Sequence, residues 1–156
     1  MLEKMLRVLY TVDTVYVLMR SKGNFSSQQR LEQLLQNRAF TFHFLPQSQL
    51  RKVVAVDGDI TKPRLGLSDQ DAKLLNDRVN IVFHIAASVK FDAEFCFNYT
   101  QNTMGVKHVL DLSSKFENLE HFVHVSTAYS NSHLQHVPEE IVPIPEDIDV
   151  LMKKIE

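Results

Sequence analysis

Two short apolar segments that end abruptly in small and hydroxylic residues constrain the fold of this chain more than any other feature. The segments are VNIVFHIAASVKFD at residues 79–92 and VHVSTAYS at residues 123–130. The sequence of a buried parallel strand is typically a continuous run of apolar, β-branched residues. In open α/β sheets, ligands bind in a crevice at the carboxyl ends of such strands. Either segment alone is also compatible with an ordinary core strand. Because a long helical pattern joins them, the pair predicts parallel strands with a ligand site at one edge of the sheet.

The rest of the chain alternates between helical and strand patterns. Helices are predicted within residues 1–12, from Ser26 through the leucines at 31, 34 and 35, from Ser68 to near Asn76, and over residues 95–116. Strands are predicted at residues 14–20, 52–60, 80–84 and 121–126. In the long helix, the residues expected to face the sheet are Val106, Val109, Leu110 and Leu112. This alternation predicts βαβ units and an α/β fold, a Rossmann-like doubly wound parallel sheet.

Length and composition favour one globular domain. The chain has 156 residues and a net charge of −2, and its basic residues form no patch, so no nucleic-acid partner is expected. Its single cysteine, Cys96, fits a reducing compartment and is expected to be a small buried hydrophobe. No apolar run reaches membrane-spanning length. We expect residues 1–130 to form the nucleotide-binding sheet with its helices, and residues 131–156 an acidic, proline-punctuated excursion of the same domain ending in a helix at 149–156.

Polar residues follow the first two predicted strands. Arg20, Ser21 and Lys22 come just after the first strand, where a dinucleotide fold that binds NAD usually has an acidic residue. A basic residue there suits the additional 2′-phosphate of NADP, although a solvated strand end is the alternative. Asp59 and Ile60 follow the next strand. The Asp59 carboxylate is placed to accept from an adenine amino group, or else it forms a turn beside the preceding glycine.

Further candidates lie after the last two strands. The hydroxyls of Ser126 and Thr127 are placed to hydrogen-bond a substrate carbonyl or its developing oxyanion. His84, at the end of a buried strand, and Asn102, on the long helix, are expected to have structural roles. The remaining histidines lack the spacing of metal ligands, so no metal site is predicted.

Taken in order, these segments resemble the extended short-chain dehydrogenase/reductase superfamily. More narrowly, they are similar to the NAD-binding domain of the fatty acyl-CoA reductases. The matching segments are VYVLMRSKG with RLEQLL, VVAVDGDITKPRLGLS, VNIVFHIAASVKFD, NTMGVKHVLDL and FVHVSTAYSN. They cover residues 1–130, which is most of the chain.

The resemblance implies that NADPH reduces a long-chain fatty acyl-CoA, through an aldehyde, to a primary fatty alcohol. It places Arg20 at the 2′-phosphate, Asp59 at the adenine, and Ala86 and Ala87 along the adenosine or ribose. Thr127, or else Ser126, would be the catalytic hydroxyl, which works beside a tyrosine that supplies the proton. Association with peroxisomal or endoplasmic-reticulum membranes is common in the family, through portions outside these residues.

The chain also departs from the family pattern. The family has a strand and a glycine-rich turn before the first matching helix, whereas the first glycine here is Gly23. The family's Tyr-x-x-x-Lys motif is absent, because His133 stands four residues after Tyr129. We therefore expect a partial domain that is inactive alone and poorly folded. Its strands at 14–19 and 81–84 would flank a missing central strand, unless they close up on each other.

Two alternatives stay open. In the first, the chain is a non-catalytic Rossmann-like binding module. In the second, it comes from another extended short-chain reductase that acts on sterols or sugars.

Overall fold

The structure is a computed structural model that describes residues 1–42, 44–143 and 147–155. It divides into two compact units, residues 1–123 and residues 124–156, which are described separately. The helices are α1 (Leu2–Val8), α2 (Ser27–Leu35), α3 (Arg38–Thr41), α4 (Gln47–Leu50), α5 (Asp69–Arg78), α6 (Phe95–Asn98), α7 (Gly105–Ser113) and α8 (Ile148–Ile155). The strands are β1 (Val15–Met19), β2 (Val53–Asp57), β3 (Ile81–His84) and β4 (His121–His124).

β1 and β2 form a parallel pair on which the main core is built. Val15 lies opposite Val53 and Met19 opposite Asp57, so the two strands run in register along their whole length. The core beside this pair consists of four buried residues, Leu6, Leu31, Phe40 and Val53. Full burial of side chains of this size contributes about 1.5–3 kcal/mol each. The core therefore joins α1, α2 and α3 to β2.

The second sheet is the pair β3–β4, and no hydrogen bonds between described strands join it to β1–β2. The alternative in which the strands at 14–19 and 81–84 close up on each other is therefore wrong. The predicted α/β class with a Rossmann-like, incomplete parallel sheet is confirmed. An interrupted sheet leaves strand edges without partners, which is a liability for a β-structure.

Local sequence signals fix where two of the helices begin. Ser26 and Gln29 form a capping box at the start of α2: the Ser26 hydroxyl accepts from the Gln29 N–H at 3.2 Å, and the Gln29 side chain accepts from the Ser26 N–H at 2.9 Å. Ser68 caps α5 by accepting from the Asp71 N–H at 3.0 Å. The helix starts predicted near Ser26 and Ser68 are confirmed.

The long helix differs from the prediction. Residues Tyr99–Met104 form a π-helical segment between α6 and α7, and α7 ends at Ser113. Val109 is buried, as predicted, but Leu110 is exposed. The buried residues of α7 are Gly105, Val109 and Ser113, which recur every four residues, and Leu110 lies about 100° around the helix from Val109, off this face.

The second unit contains the end of β4, a 3₁₀ turn at Ala128–Asn131 and α8. The predicted terminal helix is confirmed at Ile148–Ile155, whereas Pro145 and Glu146 of the acidic excursion lie outside the described residues. Within the described ranges, no helix combines the length and apolar character needed to cross a bilayer.

The pairing of β1 makes a prediction about hydrogen exchange. The Val15 N–H donates to the Lys52 carbonyl at 2.9 Å, and successive N–H groups of a strand alternate in direction. The N–H groups of Val15 and Val17 therefore point toward β2, whereas those of Tyr16 and Leu18 point toward an edge that no described strand covers. We expect the amides of Tyr16 and Leu18 to exchange at least tenfold faster, an order-of-magnitude difference typical of local opening. Equal protection of all four amides, measured by NMR, would contradict an open edge.

Candidate functional site

The carboxyl ends of β1 and β2 open into a pocket of about 200 Å³. Because the two strands are parallel and in register, the residues that follow each of them meet at the same edge of the sheet. The lining residues are Arg20, Ser21, Asp57, Gly58, Asp59, Lys62 and Gly66. The structure therefore brings together Arg20, Ser21 and Asp59, which were predicted separately.

Ser21 ties the end of β1 to the end of β2. Its N–H and its hydroxyl donate to Asp57 Oδ1 at 3.2 and 3.3 Å. Arg30, on α2, donates to the carbonyl of Arg20 and thereby fixes the same loop from the other side. Neither Asp57 nor Arg30 was predicted from the sequence. The residues to which they are hydrogen-bonded lie 36 and 10 positions away in the chain, so no local pattern indicates these bonds.

Gly58 permits the tight turn after β2. A Cβ on this residue would lie 2.5 Å from Leu18 Cδ1 and 2.8 Å from the Leu65 carbonyl oxygen. Both distances are too short for any side chain. The glycine thus allows β1 and the following turn to approach closely enough to form the pocket.

Asp59 is held as a carboxylate. The Thr61 N–H and hydroxyl both donate to its Oδ1, at 2.9 and 2.8 Å, and Arg20 Nη1 lies 3.7 Å from its Oδ2. Partial burial raises the pKa of Asp59, but the Thr61 hydrogen bonds and the charges of Arg20 and Lys62 outweigh it. The net pKa is below its usual value of 3.8. The predicted turn-forming role and the predicted place at a ligand edge are therefore compatible.

A left-handed turn closes the pocket on the side away from β1. Arg64, Leu65 and Gly66 have φ values of 51°, 56° and 61°. For the two non-glycine residues this conformation costs about 1–2 kcal/mol each. Burial of the Leu65 side chain offsets part of that cost, and so does the hydrogen bond from the Asp59 N–H to the Leu65 carbonyl at 2.8 Å. No sequence pattern indicated this turn, since left-handed arginine and leucine are rare.

Two other predicted residues lie outside this pocket. Lys22 forms an isolated antiparallel bridge with Phe25 and does not line the pocket. Ile60 packs against Gly105 of α7, where a Cβ would come within 3.0 Å of Ile60 Cδ1. The Ile60 carbonyl lies 2.8 Å from His108 Nδ1. Ile60 therefore joins the turn after β2 to α7.

The loop after β3 is braced from the π-helical segment. Asn102 Oδ1 accepts from the Ser88 N–H at 2.7 Å, and Asn102 Nδ2 donates to the Ser88 carbonyl at 3.0 Å. The predicted structural role of Asn102 is confirmed, although it braces the loop rather than the strand itself. Ala86 and Ala87, which precede Ser88, are exposed in this loop and do not line the pocket. His84 is buried, consistent with the structural role expected of it.

In the second unit, Ser126 and Thr127 follow β4 and are both exposed. Thr127 caps the 3₁₀ turn: its Oγ1 accepts from the Tyr129 N–H at 3.3 Å, and its carbonyl accepts from the Ser130 hydroxyl at 2.7 Å. The Thr127 hydroxyl is therefore oriented and keeps its proton for donation to another group.

Cysteine and metal chemistry add nothing to the site. Cys96 is exposed, so its predicted burial is wrong: it lies on α6, none of whose residues is buried. Among the described residues, no group of three or more histidine, cysteine or acidic side chains has the geometry to hold a metal ion.

Comparison with known proteins agrees with this geometry. A family model of NAD-binding domains, described as Male sterility protein, matches residues 1–156. A putative fatty acyl-CoA reductase of Drosophila melanogaster is 40% identical over 97% of this chain and 30% of its own length. Human fatty acyl-CoA reductase 1 is 34% identical over 100% of this chain and 30% of its own length.

Solved structures show the same fold. The terminal reductase domain of the myxalamid biosynthetic pathway superposes with a TM-score of 0.64 at 26% identity, over 81% of this chain and 30% of that one. A reductase domain of a nonribosomal peptide synthetase from Mycobacterium tuberculosis gives a TM-score of 0.62 at 22% identity, over 85% of this chain and 32% of that one.

The fold, with a pocket at the carboxyl ends of its strands, defines a Rossmann-like domain of the α/β class. Within that class, the chain belongs to the Male sterility protein family, which includes the fatty acyl-CoA reductases it was expected to resemble. The matching family model is one of NAD-binding domains. The chain spans about 30% of the length of the relatives named above.

The Asp59 turn makes a prediction about pH. Because the Asp59 pKa is lowered in the folded state, its stabilising contribution is present above pH 3.8 and is lost as the pH falls through the lowered folded value. The Thr61 amide proton donates to this carboxylate, so its NMR chemical shift should titrate with a midpoint below 3.8. In the Asp59→Asn variant the titration should vanish. A midpoint at or above 3.8 would contradict the proposed hydrogen bonding.

Proposed function

We propose that this chain is part of an NADPH-dependent reductase of long-chain fatty acyl-CoA, and that the β1–β2 pocket holds the adenosine 2′-phosphate end of the cofactor. The observation that supports this most directly is the meeting of Arg20 and Asp59 at one pocket, with Arg20 Nη1 3.7 Å from Asp59 Oδ2. The Arg20 side chain is 57% exposed and is therefore accessible to a ligand.

The residues present fit the proposed cofactor. Arg20 offers a planar guanidinium for bidentate contact with a phosphate. The carboxylates of Asp57 and Asp59 are already hydrogen-bonded by Ser21 and Thr61, which lowers their repulsion of an anion. Gly58 and Gly66 contribute only backbone atoms to the lining of the pocket. When bound, NADPH supplies the hydride that reduces the acyl thioester to an aldehyde and the aldehyde to an alcohol.

The chain's own contribution to the reaction is proposed to come from Thr127. Its Oγ1 accepts from the Tyr129 N–H, which leaves the hydroxyl proton available to the thioester or aldehyde oxygen. Ser126 has no comparable bond among the described residues. The structure thus favours Thr127 over Ser126 as the hydroxyl that stabilises negative charge on that oxygen.

The cofactor proposal predicts a loss of NADPH affinity in Arg20→Gln. The variant should bind NADPH roughly 10–100-fold more weakly, the value of a lost charge-assisted contact, while NADH affinity changes little. Binding is measured by equilibrium dialysis on the full native polypeptide that contains these residues. Arg51→Gln is the matched control, because Arg51 is exposed at the opposite end of β2. Equal losses for NADPH and NADH would contradict the 2′-phosphate assignment.

The catalytic proposal predicts a different pattern for Thr127. Thr127→Val keeps the shape and removes the hydroxyl, and should lower kcat for acyl-CoA reduction by roughly 10²–10³-fold with little change in KM. Thr127→Ser keeps the hydroxyl and should restore most of the activity, whereas Ser126→Ala should stay close to the native rate. If Ser126→Ala causes the larger loss, the two roles are reversed. A native polypeptide that binds no nucleotide would instead favour a non-catalytic binding module.

A further inference from the structure

The β1–β2 pocket contains a second basic side chain that the family resemblance did not assign. Lys62 lines the pocket together with Arg20 and Gly66. It stands three residues after Asp59, and its charge contributes to lowering the Asp59 pKa. The lysine therefore faces the same space as the residues proposed to hold the cofactor.

Hydrogen bonds within the turn hold the backbone of Lys62 in place. Its N–H donates to the Asp59 carbonyl at 3.0 Å, and its carbonyl accepts from the Leu65 N–H at 2.9 Å. A Cβ on Gly66 would lie 3.0 Å from Lys62 Cδ and 3.6 Å from Lys62 Cβ. The aliphatic part of Lys62 thus lies close against the left-handed turn at Gly66.

Some charged side chains at or near the pocket have hydrogen-bond or ion-pair partners, and others have none among the described residues. The Asp57 carboxylate accepts from Ser21, and the Asp59 carboxylate accepts from Thr61. Arg64, on the neighbouring turn, is paired with Asp69 at 3.0 Å. The Lys62 ammonium forms no ion pair or hydrogen bond with any residue that the structure describes. Lys62 is thus a cation at the pocket that has no direct partner among the described residues.

We infer that Lys62 is a second phosphate-binding residue of this pocket, and that it acts with Arg20 to select a 2′-phosphorylated nucleotide over an unphosphorylated one. A phosphate monoester carries close to two negative charges at neutral pH, and two cations from different turns neutralise it better than one. This inference rests on the proposed function, because it concerns the same cofactor site.

The test uses two fragments of the cofactor as probes. Dissociation constants for 2′,5′-ADP and for 5′-AMP are measured by calorimetry on the full native polypeptide and on Lys62→Gln. The variant should bind 2′,5′-ADP on the order of tenfold more weakly, while 5′-AMP affinity stays within about twofold. Retained 5′-AMP binding also shows that the variant is folded.

Two further variants make the result specific. Lys62→Arg keeps the charge and should retain most of the affinity for 2′,5′-ADP. Lys73→Gln is the matched control, because Lys73 is an exposed lysine on α5 that pairs with Asp77 and does not line the pocket. This control should leave both dissociation constants unchanged.

The outcomes separate this inference from the proposed function. If the native polypeptide prefers 2′,5′-ADP but Lys62→Gln keeps the same preference, Lys62 is not a phosphate ligand and the cofactor proposal stands. If Lys62→Gln weakens both probes equally, the residue supports the pocket without selecting the phosphate, and the inference is overturned. If the native polypeptide shows no preference for 2′,5′-ADP, the proposed NADPH site fails and the role of Lys62 fails with it.

Discussion

The in-register parallel pairing of β1 and β2 is the constraint on which the candidate site depends. It brings the ends of two strands, separated by more than thirty residues of sequence, to the same edge of the sheet. The bond between Ser21 and Asp57 and the missing side chain of Gly58 then hold the two ends together. A shift of the pairing by one residue would turn Arg20 and Asp59 to opposite faces and remove the pocket.

The site combines hydrogen bonds and turns between residues that are close in the sequence with a few contacts between residues that are far apart in it. The Asp59–Thr61 hydrogen bonds and the left-handed turn at Arg64–Gly66 are local, and they shape the loop after β2. Two contacts connect that loop to the rest of the fold: the buried Leu65 side chain and the Ile60–His108 contact. Strain in the turn is thereby retained by tertiary packing, as is common where a backbone must follow the outline of a ligand.

Sequence reasoning succeeded where the signal is local and failed where it is not. The caps at Ser26 and Ser68, the strand positions and the roles of Asn102 and His84 follow from side-chain chemistry and periodicity. Leu110 was misplaced because the buried face of α7 is narrower than the predicted one, and Cys96 because α6 buries none of its residues. Lys62 gave no signal, since nothing in the sequence indicates that the following turn is left-handed.

The sequence by itself determined the order of helices and strands, the α/β class, the family and the basic residue after β1, because each of these depends on nearest-neighbour patterns or motifs. Only the tertiary structure decided which of the candidate residues meet. It joined Arg20, Ser21 and Asp59 with Lys62 in one pocket and left Lys22, Ile60, Ala86 and Ala87 outside it. The physical reason is that a pocket is defined by distances between turns, and those distances are set by strand pairing and core packing.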